Sequence, residues 1–265
     1  MSTKFRMIVT GGGTGGHFFP AQAIRTALED KGVEVKYIGS KFGVEATRIP
    51  QGCSNTLLLN IRGIQRHLSL ESIFKNILFP FRFLSSYYKS WKLLSEFNPH
   101  VVIGTGGYSS GLPLLAAIHK GIKTVIQEQN SFPGITTRSL ESKVDKVCIG
   151  FNEAKQYLSK KNVVVTGNPI RKGLGLIDKV KAKRKFYFDA KKPVVAILGG
   201  SQGSMPINCH FQNNIQKYTE SNIQILWQCG KNDFPKLKNI SKNKNIHIFP
   251  FTNDMNIFYS AADII

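Results

Sequence analysis

The chain has no Asp-x-Asp pair, no Cys-x-x-Cys, and no Cys/His spacing of the kind that holds zinc. Its acids number 16 against 36 bases. The first shortage removes the common carboxylate mount for a divalent cation, so no metal is expected; no cofactor is expected in the leading reading. The four cysteines, Cys53, Cys148, Cys209 and Cys229, are scattered, which points to reduced thiols that are mostly buried. Lys4 and Arg6 lead into a short apolar run and then glycines, so the N-terminus lacks the core of a signal peptide. No window approaches the roughly 18 apolar residues of a membrane span. A cytosolic protein is expected, touching a membrane only from outside.

The shortage of acids leaves a formal charge of +20, which implies a polyanionic partner: nucleic acid, anionic membrane or phosphorylated substrate. Scattered lysines do not choose among these; only clusters count. With 42% hydrophobic and 20% charged residues over 265 positions, two packed α/β domains are expected.

What the chain does have is glycine in special places. Met7-Ile8-Val9-Thr10 stops at Gly11-Gly12-Gly13-Thr14-Gly15-Gly16 and meets His17, a strand-loop-helix pattern with Pro20 in the helix's first turn and the helix over 20–31. Val33–Ile38 completes a βαβ unit. Further apolar runs at 56–59, 101–103, 124–126, 146–149 and 163–165 continue a parallel sheet. The basic, weakly patterned residues 171–192 read as a linker between domains at 1–170 and 193–265. The second domain opens with strand 193–198 and the turn Gly199–Gly203, and adds strands at 223–227 and 246–248. Residues 258–265 resemble a helix entering another strand, so a truncated chain is expected.

Gly11, Gly13 and Gly16 satisfy Gly-x-Gly-x-x-Gly, yet no acid follows the second strand to hold a ribose; Gly39-Ser40-Lys41 stands there. Lys41 meeting a 2′-phosphate keeps an NADP-dependent oxidoreductase open as an alternative. A second glycine turn, Gly104–Gly111, and a third, Gly199–Gly203, also follow strands. One such turn is often only a tight turn; three at equivalent strand ends favour ligands, with diphosphate charge met by backbone amides. His17, near a helix N-terminus, should be neutral and able to take a proton. Arg171, in Gly167-Asn168-Pro169-Ile170-Arg171, either meets a diphosphate or is a plain linker arginine; spacing does not decide.

Between Arg62 and Lys92 stand six bases and one acid. Phe81, Leu84, Tyr88, Trp91 and Leu94 share one helical stripe expected to face the core. Phe74, Phe79 and Phe83 lie off it beside Lys75 and Arg82, the mixture expected of a surface that leans into anionic lipid.

Gly-Gly-Thr-Gly-Gly-His-x-x-Pro at 12–20, Gly-Gly-Tyr-x-Ser-Gly at 106–111, Glu-Gln-Asn at 128–130, Gly-Asn-Pro-x-Arg at 167–171 and Gly-Gly-Ser-Gln-Gly at 199–203 occur in order along the chain. Together they closely resemble glycosyltransferase family 28, and within it the bacterial N-acetylglucosaminyltransferases that convert lipid I to lipid II. The resemblance implies the GT-B architecture, two Rossmann-like doubly wound parallel-sheet domains, and an inverting transfer from UDP-GlcNAc to the muramoyl C4 hydroxyl of lipid I. It implies His17 as general base. Thr14, Gly15, Gly16, Asn130 and Arg171 would meet the donor, Ser201 and Gln202 its diphosphate, and the Phe251-Thr252 turn its uracil. Gly106, Gly107, Tyr108 and Ser110 would cradle the acceptor. Partners would be UDP-GlcNAc, lipid I and the anionic cytoplasmic face of the bacterial inner membrane, with no nucleic acid.

Gln127 stands where the family often has histidine, and Ser204 where it usually has alanine. The family pattern also continues past Ile265 with donor contacts, which keeps a non-catalytic remnant that binds anionic membrane or lipid-linked acceptor as a further alternative.

Overall fold

The structure is a computed structural model, and it describes residues 4–50, 53–62, 79–159, 162–200, 203–252 and 254–265. The expected site residues Phe74, Lys75, Ser201 and Gln202 lie outside the described residues. The chain divides into two compact units, Met1–Arg171 and Lys172–Ile265.

Unit 1 is built on a seven-stranded parallel sheet in the order β3-β2-β1-β4-β5-β6-β7. The strands are β1 (Arg6–Thr10), β2 (Glu34–Ser40), β3 (Thr56–Leu59), β4 (Val101–Gly104), β5 (Lys123–Glu128), β6 (Lys146–Ile149) and β7 (Val163–Val165). Strand order reverses between β1 and β4, whose last residues Thr10 and Gly104 are paired. Both of the unit's glycine turns therefore leave the sheet side by side at the switch point where open parallel sheets bind ligands.

Both faces of this sheet are covered, which is why its strands are nearly continuous apolar runs. Ile8, Ile38, Val102 and Ile126 pack on one face with residues of α3 (Phe79–Phe97) and α4 (Tyr108–His119). The next residue along β1, Val9, points to the other face and meets Phe18 and Ala21 of α1 (Gly15–Glu29), with Val35 and Tyr37. The short helices α2 (Glu45–Arg48) and α5 (Ile135–Leu140) follow β2 and β5.

Two expectations about unit 1 need correction. Helix α1 starts at Gly15, not Pro20, so the proline lies inside it. Thr14 stands at its N-terminal boundary in extended backbone, and Gly15 and Gly16 are drawn into the first turn; Pro20 removes only one helix hydrogen bond, to the Gly16 carbonyl. In α3, the stripe expected to face the core divides: Leu94 is buried and Trp91 packs on the core, but Phe81, Leu84 and Tyr88 are 70%, 64% and 67% exposed. Phe83, expected on the membrane side, packs on the core together with Tyr87 and Trp91. Phe79 and Arg82 are half-buried. The inward face includes Ser86 and Ser90, which apolar periodicity does not register; Ser90 Oγ donates to the Ser86 carbonyl at 2.8 Å and is satisfied without water.

Unit 2 has a three-stranded parallel sheet in the order β10-β9-β8, with β8 at Val194–Leu198, β9 at Gln224–Gln228 and β10 at Ile246–Phe249. Its helices are α6 (Lys179–Lys185), α7 (Met205–Glu220), α8 (Phe234–Leu237) and α9 (Met255–Ala261). The residues expected to be a linker are part of this unit: Ala182 and Phe188 pack with Val194, Leu226 and Phe258. After α9, Ile264 bridges Val195 in parallel, the strand-like entry expected there.

Candidate active site

Thr105, the first residue after β4, ties the two glycine turns of unit 1 together. Its amide donates to the Thr10 carbonyl at 2.8 Å and its hydroxyl to the His17 carbonyl at 2.8 Å. A Cβ on Gly11 would overlap that hydroxyl, so the approach requires glycine. On the second turn, Gly106 and Gly107 have φ of +99° and +77°, conformations that side chains rarely adopt.

His17 is the third residue of α1 and its ring lies across Gly106. Thr14 leaves the helix amides uncapped and places its hydroxyl 3.1 Å from His17 Nδ1. Burial lowers the imidazole pKa below its ordinary 6.5, against the opposing pull of the Glu128 and Glu45 carboxylates. The ring is therefore neutral at pH 7, as its position suggested, with burial the leading cause.

A cavity of about 540 Å³ opens beside the ring, lined by Gly12, Gly13, Thr14, His17, Gly107 and Tyr108 among others, with Arg62 on its wall. Gly106 lies beneath the histidine, and Gly15 and Gly16 open α1. Ser110, expected to touch the acceptor, is fully buried and donates to the Gly107 carbonyl at 3.0 Å, so it shapes the turn and does not face a ligand.

The Glu-Gln-Asn run adjoins this site. Glu128 is buried, and its carboxylate accepts from the Asn130 amide, the Asn130 side chain, the Gly134 amide and Thr137 Oγ1 at 2.6–3.1 Å. Asn130 is thus held at the surface by its own loop. Gln129 Nε2 donates to the Thr105 carbonyl at 2.9 Å, and Gln127 Nε2 donates to Asn168 Oδ1 at 3.2 Å. Four of the five motifs therefore converge in unit 1. Arg171 ends the unit with its guanidinium 4.6 Å from the ring centre of Phe19, one turn of α1 from the glycines.

Two residues essential to this geometry carry no motif signal. Glu45 is buried, with its carboxylate on the Gly13 and Ser40 amides, and Tyr37 Oη donates to the Gly11 carbonyl. The amide of Gly13 thus already has an anion. Lys41 lines a different groove, beside Thr56, Lys89 and Lys92. The NADP alternative loses both its phosphate cradle and its 2′-phosphate partner.

In unit 2, Gly200 and Gly203 have φ of +79° and +82°, and a Cβ on Gly203 would overlap the Cys229 carbonyl. Gln228, buried at the end of β9, donates to the Gly200 carbonyl at 3.0 Å and accepts from the Thr252 amide at 2.9 Å. It joins the third glycine turn to the turn that carries Thr252, and no motif marked it.

Two parallel α/β units with glycine turns at their strand ends define the GT-B architecture. The chain belongs to glycosyltransferase family 28: the model of the family's N-terminal domain matches residues 7–149, and that of its C-terminal domain residues 194–265. It is 40% identical over 266 residues to the UDP-N-acetylglucosamine--N-acetylmuramyl-(pentapeptide) pyrophosphoryl-undecaprenol N-acetylglucosamine transferase of Flavobacterium psychrophilum, covering 99% of this chain and 71% of that one. To the protein of the same description from Christiangramia forsetii it is 37% identical, covering 100% and 72%. The crystal structure of Acinetobacter baumannii MurG superposes with a TM-score of 0.65 at 24% identity, over 98% of this chain and 71% of that one, a likeness of fold.

Proposed function

We propose that this chain transfers N-acetylglucosamine from UDP-GlcNAc to the muramoyl C4 hydroxyl of lipid I, with inversion, forming lipid II. The observation that carries the reading is the half-buried, neutral His17 set across Gly106 on the wall of the unit 1 cavity. The acceptor hydroxyl gives its proton to the histidine as its oxygen bonds to GlcNAc C1. The bond from C1 to the diphosphate oxygen breaks, and UDP leaves with the electron pair. The 3.1 Å contact between Thr14 Oγ1 and Nδ1 serves this role in the tautomer that carries its proton on Nδ1, which leaves Nε2 to accept the proton. Gly106, Gly107 and Tyr108 frame the acceptor; Thr14, Gly15, Gly16, Asn130, Arg171 and Thr252 serve the donor, with Ser201 and Gln202 at its diphosphate.

UDP release from UDP-GlcNAc and a lipid I analogue tests this directly. His17→Ala is expected to lower kcat about 100-fold or more while the Kd for UDP-GlcNAc stays within about twofold. Unchanged turnover in that variant removes His17 as the base.

The same enzyme would sit on the anionic cytoplasmic face of the inner membrane. Among the described residues no helix is long and apolar enough to cross a membrane. The outward stripe Phe81, Leu84 and Tyr88, with Lys89 and Lys92 beside it, supports peripheral contact through inserted aromatic rings and attracted headgroups.

A further inference from the structure

The first glycine turn looks like a phosphate cradle, yet an anion already occupies it. The Gly13 amide donates to both oxygens of Glu45, at 3.0 and 3.1 Å, and the Ser40 amide donates to Oε1 at 2.6 Å. The carboxyl is fully buried. Three glycines surround it because side chains would not fit: a Cβ on Gly12 or Gly43 would overlap its oxygens, and one on Gly39 would lie 2.9 Å from its Cγ. Amides from the end of β2 and from the turn after β1 thus converge on one internal carboxylate, the arrangement that backbone nests otherwise offer to a ligand phosphate.

We propose that Glu45 is a positioning residue of the transfer site: its carboxylate takes the place of a phosphate in the first glycine turn and fixes the turn from which His17 is presented. The coupling runs through contacts on both sides. Gly13 is held by Glu45; the carbonyl of the preceding Gly12 abuts Gly107, where a Cβ would overlap it; and Gly106 beside it carries the histidine ring. A turn closed in this way cannot cradle a nucleotide diphosphate through Gly13, so donor phosphate recognition belongs elsewhere in the chain. This inference rests on the reading of His17 as base.

The charged groups around the ring are Glu45 from α2, Glu128 from the end of β5 and Arg62 across the cavity. Removing the Glu45 charge while the other two remain takes away one group that favours the imidazolium. Its proton affinity should therefore fall.

The experiment compares wild type, Glu45→Gln, Glu45→Asp and His17→Ala in the full chain. In Glu45→Gln the remaining oxygen can accept from the Ser40 amide and on one side from Gly13, but an amide N–H replaces the second acceptor and faces the Gly13 N–H, so the two-oxygen hold on Gly13 is lost. The expected result is a kcat about tenfold to a hundredfold lower with the UDP-GlcNAc Kd unchanged, partly recovered in Glu45→Asp. Two readouts need no turnover: by NMR the His17 ring should titrate at lower pH in Glu45→Gln, and the Gly13 amide should lose its protection from hydrogen exchange. A folded Glu45→Gln with wild-type kcat, His17 titration and Gly13 protection overturns the inference. If Glu45→Gln does not fold, Glu45→Asp, whose carboxylate keeps the charge but falls one methylene short of the turn, decides by kcat and Gly13 protection, and wild-type values of both overturn the inference. Should His17→Ala turn over normally, the reading of the base fails, while a loss of Gly13 protection still marks Glu45 as the internal anion of the turn.

Discussion

A Cβ at Gly106 would fall 2.6 Å from His17 Cδ2 and 2.9 Å from its Nε2, on a backbone with φ of +99°. Gly106→Ala should therefore push the imidazole aside as well as strain the turn. The expected outcome is at least a tenfold loss of kcat with a stability cost of about 1–2 kcal/mol, read from urea unfolding. The pH dependence follows from the same residue. A base must be unprotonated, and burial holds the His17 pKa below 6.5, so kcat should be flat through pH 7 and fall on a limb centred below 6.5. A limb centred above 6.5 would assign the titration to another group. The glycines at this scale were legible as turns, because few other residues tolerate such backbone. What they make room for was not: Glu45 is one acid in Gly43-Val44-Glu45-Ala46, and only the fold brings it beneath Gly12 and Gly13. Gln228 escaped for the same reason, since a polar residue ending an apolar strand has no pattern of its own.

The strands of both units could be read within a residue or two, because parallel strands covered on both faces are short apolar runs followed by turns. Helix α3 was harder. The first part of its apolar stripe points outward and its inner face carries Ser86 and Ser90, so the pattern indicated the right side for Trp91 and Leu94 and the wrong one for Phe81, Leu84 and Tyr88. Small buried residues are what allow two helices to approach closely, and hydropathy gives them no weight. The two faces should respond oppositely to substitution. Replacing Phe81, Leu84 and Tyr88 together by serine should change stability by less than about 1 kcal/mol yet abolish sedimentation with anionic vesicles. Ser90→Leu, which forces a larger side chain against the core, should cost about 1–3 kcal/mol and leave vesicle binding intact. Vesicle binding that survives the triple serine variant would move membrane contact to another surface.

Across the whole chain, the misread segment was the basic one. Residues 171–192 look like a linker because lysine and arginine dominate them, yet Lys183 is buried with its side chain 4% exposed. Its ammonium pairs with Asp263 at 2.7 Å and donates to the Lys192 carbonyl at 2.7 Å; Lys179 adds a second ion pair to Asp263 at 2.8 Å. Asp263 also accepts from the Val194 amide. Residues near one end of unit 2 are thereby fastened to residues near its other end and to the start of β8, a long-range closure that no local pattern could reveal. Burial alone would raise the Asp263 pKa, but the hydrogen bonds from Lys179, Lys183 and Val194 outweigh it and hold the carboxyl well below the usual range. Because the folded pKa is depressed, this stabilisation is present above the ordinary value of 3.8 and is lost as pH falls below it. Asp263→Asn keeps the shape but takes the carboxylate partner from Lys183, which should cost about 1–2 kcal/mol, less than a fully buried pair because Asp263 is open to solvent. If the two compact units unfold separately, calorimetry should show the transition of unit 2, which holds this network, moving down while that of unit 1 stays in place. Equal stability of Asp263→Asn and wild type at pH 7 would reduce the network to a surface ion pair and return residues 171–192 to the status of a tether.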